Sequence, residues 1–201
     1  PDALIRLPLP PLSRQAVGRL ARAAGRDVGA VWEAAGGNAF FVTELLQSEG
    51  TAPPQSVQDA VLARADRLSA RARAALDAVS IFPRHAEPEL VEIMVGDDGV
   101  DGIEECLDHG LLDQDGAGLA FRHELARQAV EGALRTSRRR QLNRALYHEL
   151  TGTGAPAARR LHHAREAGLR EAILELAPIA ARTAEAAQAR REAAEYYRAA
   201  I

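Results

Sequence analysis

The chain has 201 residues, a formal net charge of −3 at pH 7, 47% hydrophobic residues and 26% charged residues. This composition is typical of one or two globular domains, and the slightly acidic balance provides no overall attraction to nucleic acid. All 25 cationic residues are arginine, because lysine does not occur. The chain therefore cannot supply the lysine of a standard P-loop or of a Schiff-base enzyme. The single cysteine, Cys106, excludes an internal disulfide and is interpreted as a small packed side chain.

Membrane and export signals are not found in the sequence. No apolar run approaches the roughly 20 residues that a transmembrane helix needs, and the chain does not open with a signal-peptide pattern. We expect a cytoplasmic protein without membrane contact, which the single cysteine also fits. The chain begins with Pro1 and stops at Ile201 within a helical pattern, which indicates a segment of a longer protein.

The first third of the chain is predicted to be helical. Residues 4–12, LIRLPLPPL, combine a short alternating run with three prolines, which predicts a last strand and its exit loop. Ser13, Asp27 and Asn38 are predicted N-caps of three helices, and a fourth helical pattern follows the helix-breaking stretch TAPPQS. We interpret 13–68 as a small all-helical unit.

The next region has the element order of a winged helix. Ser69 is the predicted start of one helix, and helical patterns at 88–95 and 99–110 follow. Two short apolar runs then flank DQDGAG, which predicts a β-hairpin, and the stretch LARQAVEGAL predicts a further helix. Helix, helix, helix, hairpin and helix together predict a winged-helix domain over 69–135.

Helical patterns continue to the end of the chain. Small alanines, with Leu or Tyr at turn spacing and Gly at the breaks, predict stacked helix pairs of the tetratricopeptide kind over 136–201. The predicted fold is therefore mainly α: a helical lid bundle, a winged-helix domain with a small β-hairpin, and TPR-like α-hairpins.

Three stretches in this order, LPLPPLS, GGNAFFVTELL and FRHELARQAV, resemble parts of STAND-type ATPases. These proteins are signalling relatives of the AAA+ ATPases, and the version here looks like the large LuxR-type transcriptional regulators. The resemblance implies that 1–12 is the tail of the ATPase core. It further implies that 13–68 is the helical lid, 69–135 the winged helix, and 136–201 the start of the sensor repeats.

The lid stretch suggests a place beside a nucleotide. In the resembling proteins it reads GGNPFF and its proline lies against the adenine, whereas this chain has Ala39 at that position. The resemblance implies that Gly36, Gly37, Asn38, Ala39 and Phe40 lie near a nucleotide held by the parent protein. Residue spacing alone also allows a plainer interpretation, in which the glycines end one helix and Asn38 starts the next.

FRHELARQAV looks like the MHD stretch of nucleotide-gated STAND proteins, in which a histidine contacts the β-phosphate of ADP. By position that histidine is His123, and an imidazole N–H can donate to a phosphate oxygen. The alternative is a histidine packed into the junction of wing and helix. Strand alternation predicts that Arg122 points to the opposite face, so it is not a candidate.

Two other chemistries are disfavoured by the residues. The helix that a DNA-binding winged helix would insert, VDGIEECLDHGLL, carries four carboxylates and no arginine, so direct DNA contact by this chain is not expected. His162 and His163 are adjacent and therefore diverge on a helix, and no third ligand is spaced to complete a metal site.

The sequence as a whole predicts a non-catalytic regulatory segment of an ATP-dependent STAND transcriptional regulator, which couples nucleotide state to signal sensing. No catalytic residue, metal or resident cofactor is expected in the chain, and ATP or ADP would belong to the parent. The expected partners are the ATPase core of the same protein and an unknown signal ligand or protein at the repeats. The alternative is a helical-repeat interaction scaffold without nucleotide gating.

Overall fold

Helices form most of the computed structural model, which describes residues 10–48, 53–96 and 99–199. The prediction of a mainly α fold with one small hairpin is confirmed. Of the predicted core tail at 1–12, residues 1–9 lie outside the described residues. In chain order the elements are α1 (Arg14–Ala23), α2 (Val28–Ala35), α3 (Ala39–Gln47), α4 (Gln55–Ala65), α5 (Ala70–Ser80), α6 (Pro88–Val95), α7 (Gly99–Asp108), β1 (Leu112–Asp115), β2 (Gly118–Phe121), α8 (Glu124–Ala133), α9 (Thr136–Gly152), α10 (Ala157–Ala167), α11 (Arg170–Ala186) and α12 (Arg190–Ala199).

The predicted N-caps are confirmed by hydrogen bonds. The side-chain oxygens of Ser13, Asp27, Asn38 and Ser69 each accept from the backbone N–H three residues later, at 2.7–3.2 Å. Each cap satisfies one of the N–H groups that a helix start leaves without an internal partner. The starts of α1, α2, α3 and α5 are therefore determined locally.

The hairpin is longer than its apolar residues predict. Antiparallel pairing runs from Leu112 with Phe121 to Asp115 with Gly118, so β1 includes the first half of the predicted turn DQDGAG and β2 includes its last residue. Gly118 has a φ of +124°, and a Cβ atom there would lie 2.5 Å from the carbonyl oxygen of Ala86. Backbone pairing between β1 and β2 therefore extends the ladder past the apolar residues, and Leu119 of β2 also bridges to Ala86.

A continuous hydrophobic core joins the first nine helices. Its buried residues run from Val17 on α1 to Leu150 on α9. Both α2 and α4 pack against α8, so the helices of 13–68 lie directly on the last helix of the winged-helix order. This packing places the α2–α3 turn beside the segment that joins β2 to α8.

The last helices have a core of their own. Each helix from α9 to α12 packs against the next one in the chain. A second cluster of buried residues, including Leu161, Leu176 and Ala180, joins α10 and α11. Gly168 ends α10 in the left-handed conformation, with a φ of 71°, and so permits the sharp turn into α11.

Candidate functional site

Two glycines form the turn between α2 and α3, and each lies against another part of the chain. Gly36 has a φ of +54°, and a Cβ atom added there would lie 3.0 Å from Nδ1 of His123. Gly37 has a φ of +81°, and its carbonyl oxygen accepts a hydrogen bond from the N–H of Leu12 at 2.8 Å. A Cβ atom at Gly37 would lie only 2.5 Å from the carbonyl oxygen of Leu12. Close approach within the chain therefore requires both glycines, together with their left-handed backbone.

The two phenylalanines that follow the turn have different environments. Phe41 is 6% exposed and belongs to the main core, whereas Phe40 is 43% exposed. The ring of Phe41 meets the ring of His123 edge-on, with centroids 5.1 Å apart and an interplanar angle of 88°. Phe41 therefore anchors α3 and also supports the histidine.

His123 lies between β2 and α8 with extended backbone. Its Nδ1 atom is buried and has no hydrogen-bond partner among the described residues. Burial is the main cause that lowers the pKa of His123, the charges of Arg122 and Arg64 lower it further, and Asp113 acts in the opposite direction. The neutral imidazole is therefore favoured in this state, with one polar nitrogen left without a partner.

Arg122 precedes His123 just after β2, and its N–H donates to the carbonyl oxygen of Leu111 at 3.3 Å. That the side chains of Arg122 and His123 point to opposite faces stays a prediction. The guanidinium of Arg122 binds Asp113 of β1 through Nη2 at 2.7 Å and through Nε at 3.1 Å. This ion pair lowers the pKa of the Asp113 carboxyl and raises that of Arg122.

An open cleft of about 330 Å³ lies where these segments meet. We call it the 38/123 cleft. Its lining residues come from the chain before α1, from the start of α3 and from the β2–α8 junction: Pro10, Pro11, Asn38, Ala39, Arg122 and His123. Four of the six lining residues are uncharged, and the other two are Arg122 and His123.

The structure brings together most of the residues that the sequence selected. Asn38, Ala39 and His123 line the 38/123 cleft. Gly36 is not a lining residue, but it packs against Nδ1 of His123. Phe40 is not among the lining residues, so its place beside a nucleotide stays a prediction.

Sequence reasoning missed three contributors to this region: Pro10, Pro11 and Arg122. The prolines carry no chemical signal, and only tertiary packing brings them to the cleft. Arg122 was set aside by strand alternation.

The other singled-out residues are explained by packing. His163 is fully buried, and its Nδ1 lies 2.8 Å from Oδ1 of Asn143. Within residues 10–48, 53–96 and 99–199, no cluster of three or more His, Cys, Asp or Glu could hold a metal ion. The Cys106 thiol is buried and donates to the carbonyl oxygen of Ala72, and burial raises its pKa to about 12. Its interpretation as a packed side chain is confirmed.

Carboxylates of the acidic helix α7 bind residues at the start of the neighbouring helix α5. Glu105 accepts hydrogen bonds from the backbone N–H and the hydroxyl of Ser69, at 2.7 and 2.6 Å. Asp101 pairs with Arg71 at 2.9 Å. Two of its four carboxylates therefore fasten α7 to the start of α5.

A larger cleft of about 500 Å³ lies between α9 and the α10–α11 turn. Its lining includes Tyr147, His148, Arg170, Glu171 and Glu175. Its charged lining residues are one arginine and two glutamates, and the rest of the lining is mainly uncharged.

Comparison with known proteins provides no relative for this chain, since no family model, curated protein or solved structure matches it. Among the described helices, none is long and apolar enough to cross a bilayer.

Proposed function

We propose that this chain is a non-catalytic regulatory segment of a cytoplasmic, ATP-dependent STAND transcriptional regulator of the LuxR type. In this proposal 13–68 is the lid, 69–135 the winged helix and 136–201 the start of the sensor repeats. The nucleotide, ATP or ADP, is held by an ATPase core elsewhere in the same protein. A signal ligand or protein on the repeats changes how lid and winged helix close over that nucleotide, without direct DNA contact by this segment.

The observation that carries the proposal is the meeting of the glycine turn with His123 at one cleft. These residues were selected from two stretches far apart in the sequence, and they lie in direct contact. Such contact supports a site that spans lid and winged helix, and a ligand bound there would hold the two units together. A nucleotide-controlled switch requires two states, and here they would differ in whether lid and winged helix are held together.

The groups present fit an anion such as a phosphate. His123 lines the cleft with an imidazole that can donate to a phosphate oxygen, and Arg122 is a second lining residue whose side chain is cationic. A bound phosphate would favour the imidazolium form of His123, which donates from both ring nitrogens. Ala39 leaves more room at the cleft wall than a proline would, so we expect a looser contact to a base there.

The test is the nucleotide retained by the purified full-length protein. We expect ADP to copurify with the wild type and to be lost from His123→Ala, because the substitution removes the donor at the cleft. His85→Ala is the matched control, since His85 is an exposed histidine of the same domain. Equal ADP in wild type and His123→Ala would return His123 to a packing role.

The second candidate is a helical-repeat scaffold that binds a protein without nucleotide gating. It is favoured by the separate hydrophobic core of α10 and α11 and by the 500 Å³ cleft beside them. Absence of nucleotide from both wild type and His123→Ala would support this candidate, provided that the core is present and folded.

A further inference from the structure

Charge is divided unevenly between the two parts of the chain. Residues 1–135 contain 13 arginines and 21 acidic residues, a formal charge of −8, whereas residues 136–201 contain 12 arginines and seven acidic residues, a formal charge of +5. The contrast is sharper locally, since 85–121 carries 11 acidic residues and no arginine, while 135–144 carries five arginines and no acidic residue. Such an asymmetry indicates a partner of opposite charge for each part.

Two of these arginines form an exposed basic face on α9. Arg140 and Arg144 are one turn apart on the same side of the helix, both are exposed, and neither forms an ion pair within the described chain. The exposed residues beside them, Ser137, Gln141 and His148, include no carboxylate. Like charges at this spacing repel one another, and an anionic partner would relieve that repulsion.

Helix α7 has an exposed acidic face with the same spacing. Glu104 and Asp108 are also four residues apart and exposed, and neither has an ion-pair partner among the described residues. Val100 lies one turn before Glu104 on this side of the helix and is 49% exposed. The other two carboxylates of α7 are already bound at the start of α5. The acidic face therefore combines two unpaired carboxylates with apolar surface.

We propose that the acidic face of α7 in one copy of this chain binds the basic face of α9 in a second copy. The chain itself supplies both charges at one spacing, and within a single copy the two faces are left unpaired. Four residues of helix are about 6 Å long, so two helices laid side by side can form both arginine–carboxylate pairs at once. A guanidinium suits this contact because it binds a carboxylate through two parallel N–H groups.

The contact is expected to be transient. Exposed ion pairs are individually weak, and salt screens them, so association should depend on ionic strength. The two faces lie outside the 38/123 cleft, and their binding requires no nucleotide. The inference therefore goes beyond the proposed function and does not rest on it.

Charge reversal tests the pairing of the two faces. One variant carries Arg140→Glu with Arg144→Glu, and the other carries Glu104→Arg with Asp108→Arg. All four positions are exposed, so both variants should fold as the wild type does. In either variant alone two faces of like charge would meet, and we expect association to weaken at least about tenfold. In an equimolar mixture each face meets a complementary one on the other variant, so association should return.

The measurement is sedimentation velocity of the full-length protein over a range of concentrations, at low and at high ionic strength and without added nucleotide. The wild type should associate at low ionic strength and dissociate at high ionic strength. Arg14→Glu with Arg19→Glu is the matched control, because both arginines are exposed on α1 and the substitution changes the net charge as much as the α9 variant does. This control should retain association.

Three outcomes would overturn the proposal. A wild type that stays monomeric at low ionic strength means that the faces do not bind each other. Unchanged association in either reversal variant means that the copies meet through other surfaces. Loss of association in both variants without recovery in the mixture means that the two faces do not pair. None of these outcomes concerns nucleotide retention, so the proposed function would stand in each case.

Discussion

His123 and His163 each have a buried ring nitrogen without a partner, but their surroundings differ. Each has one buried ring nitrogen without a hydrogen-bond partner in the described parts of the chain, Nδ1 in the first and Nε2 in the second. His163 is fully buried beside Phe82, with ring centroids 6.2 Å apart. His123 is half-buried and opens onto the 38/123 cleft next to Arg122.

The hydrogen bond to Asn143 determines which ring nitrogen of His163 carries the proton. Asn143 donates through its amide nitrogen to the carbonyl oxygen of Arg139, so its oxygen faces the ring. Nδ1 of His163 is therefore the donor, and Nε2 is a bare acceptor. Burial, followed by the nearby His162 and Arg159, lowers the pKa of His163 to about 3.

The comparison shows that an unsatisfied buried nitrogen does not by itself define a site. His163 is enclosed by packed side chains, so a ligand has no access to it. The Nδ1 of His123 is also buried, against Gly36, but the residue itself lines the open 38/123 cleft together with Arg122. The proposed binding site therefore includes His123, whereas His163 is interpreted as part of the packing.

The His163 region fastens the first repeat helices to the winged-helix order. Arg159 of α10 forms two hydrogen bonds to the Glu87 carboxylate, both at 2.5 Å, and its guanidinium lies 6.0 Å from the centre of the Phe82 ring. We call the set Phe82, Glu87, Asn143, Arg159 and His163 the junction. It joins the start of α6 and the end of α5 to α9 and α10.

The largest expected effect distinguishes the two phenylalanines at the start of α3. Phe41→Ala should lower the free energy of unfolding by about 3–5 kcal/mol, because it leaves a cavity in the core and removes the support of His123. Phe40→Ala is the matched control and should cost under about 1 kcal/mol, since Phe40 is largely outside the core. Urea unfolding measures both. Similar costs for the two would contradict the assignment of Phe41 as the anchor.

The second prediction concerns acid stability at the junction. The unfolded chain binds a proton at His163 below about pH 6.5, whereas the folded chain does so only near pH 3. Stability from this group is therefore complete above pH 6.5 and is lost as the pH falls toward 3. Between pH 6.5 and 4.5 we expect a loss of about 2 kcal/mol from His163.

Urea midpoints of the wild type and His163→Gln at several pH values measure this loss. The variant should show a flatter pH dependence, and the exposed His85→Gln should retain the slope of the wild type. His123→Gln should change the slope in the same direction as His163→Gln, because burial also lowers the pKa of His123. A wild-type slope in His163→Gln would mean that the folded protein binds a proton there.

The smallest expected effect is the coupling between Arg159 and Glu87. Their side chains are 33% and 44% exposed, so solvent screens the pair, and a double-mutant cycle with Arg159→Met and Glu87→Gln should give about 0.5–1 kcal/mol. The hydrogen bond from Arg159 lowers the pKa of the Glu87 carboxyl, so this coupling is present above about pH 4.5 and is lost in stronger acid. A coupling of zero at neutral pH would leave Phe82 and His163 as the stabilising part of the junction.

Element starts were the most predictable part of the structure. Ser13, Asp27, Asn38 and Ser69 each cap a helix as predicted, because the cap depends on a hydrogen bond to a residue three positions later. The hairpin was predicted in place but too short, since its ladder depends on pairing between backbones, and the bridge to Ala86 comes from a distant segment. Local interactions can be identified from the sequence, whereas pairing partners cannot.

The candidate site was predictable only as a set of separate stretches. The sequence alone determined the mainly α fold, the helix caps, the helix break at Gly36 and Gly37, and the choice of His123 as a candidate site residue. Only the tertiary structure decided that this turn contacts His123, that Arg122 shares the cleft, and that His163 is buried against Asn143. The physical reason is the range of the interactions: capping and backbone strain act within a few residues, while burial and close approach follow from how distant helices pack.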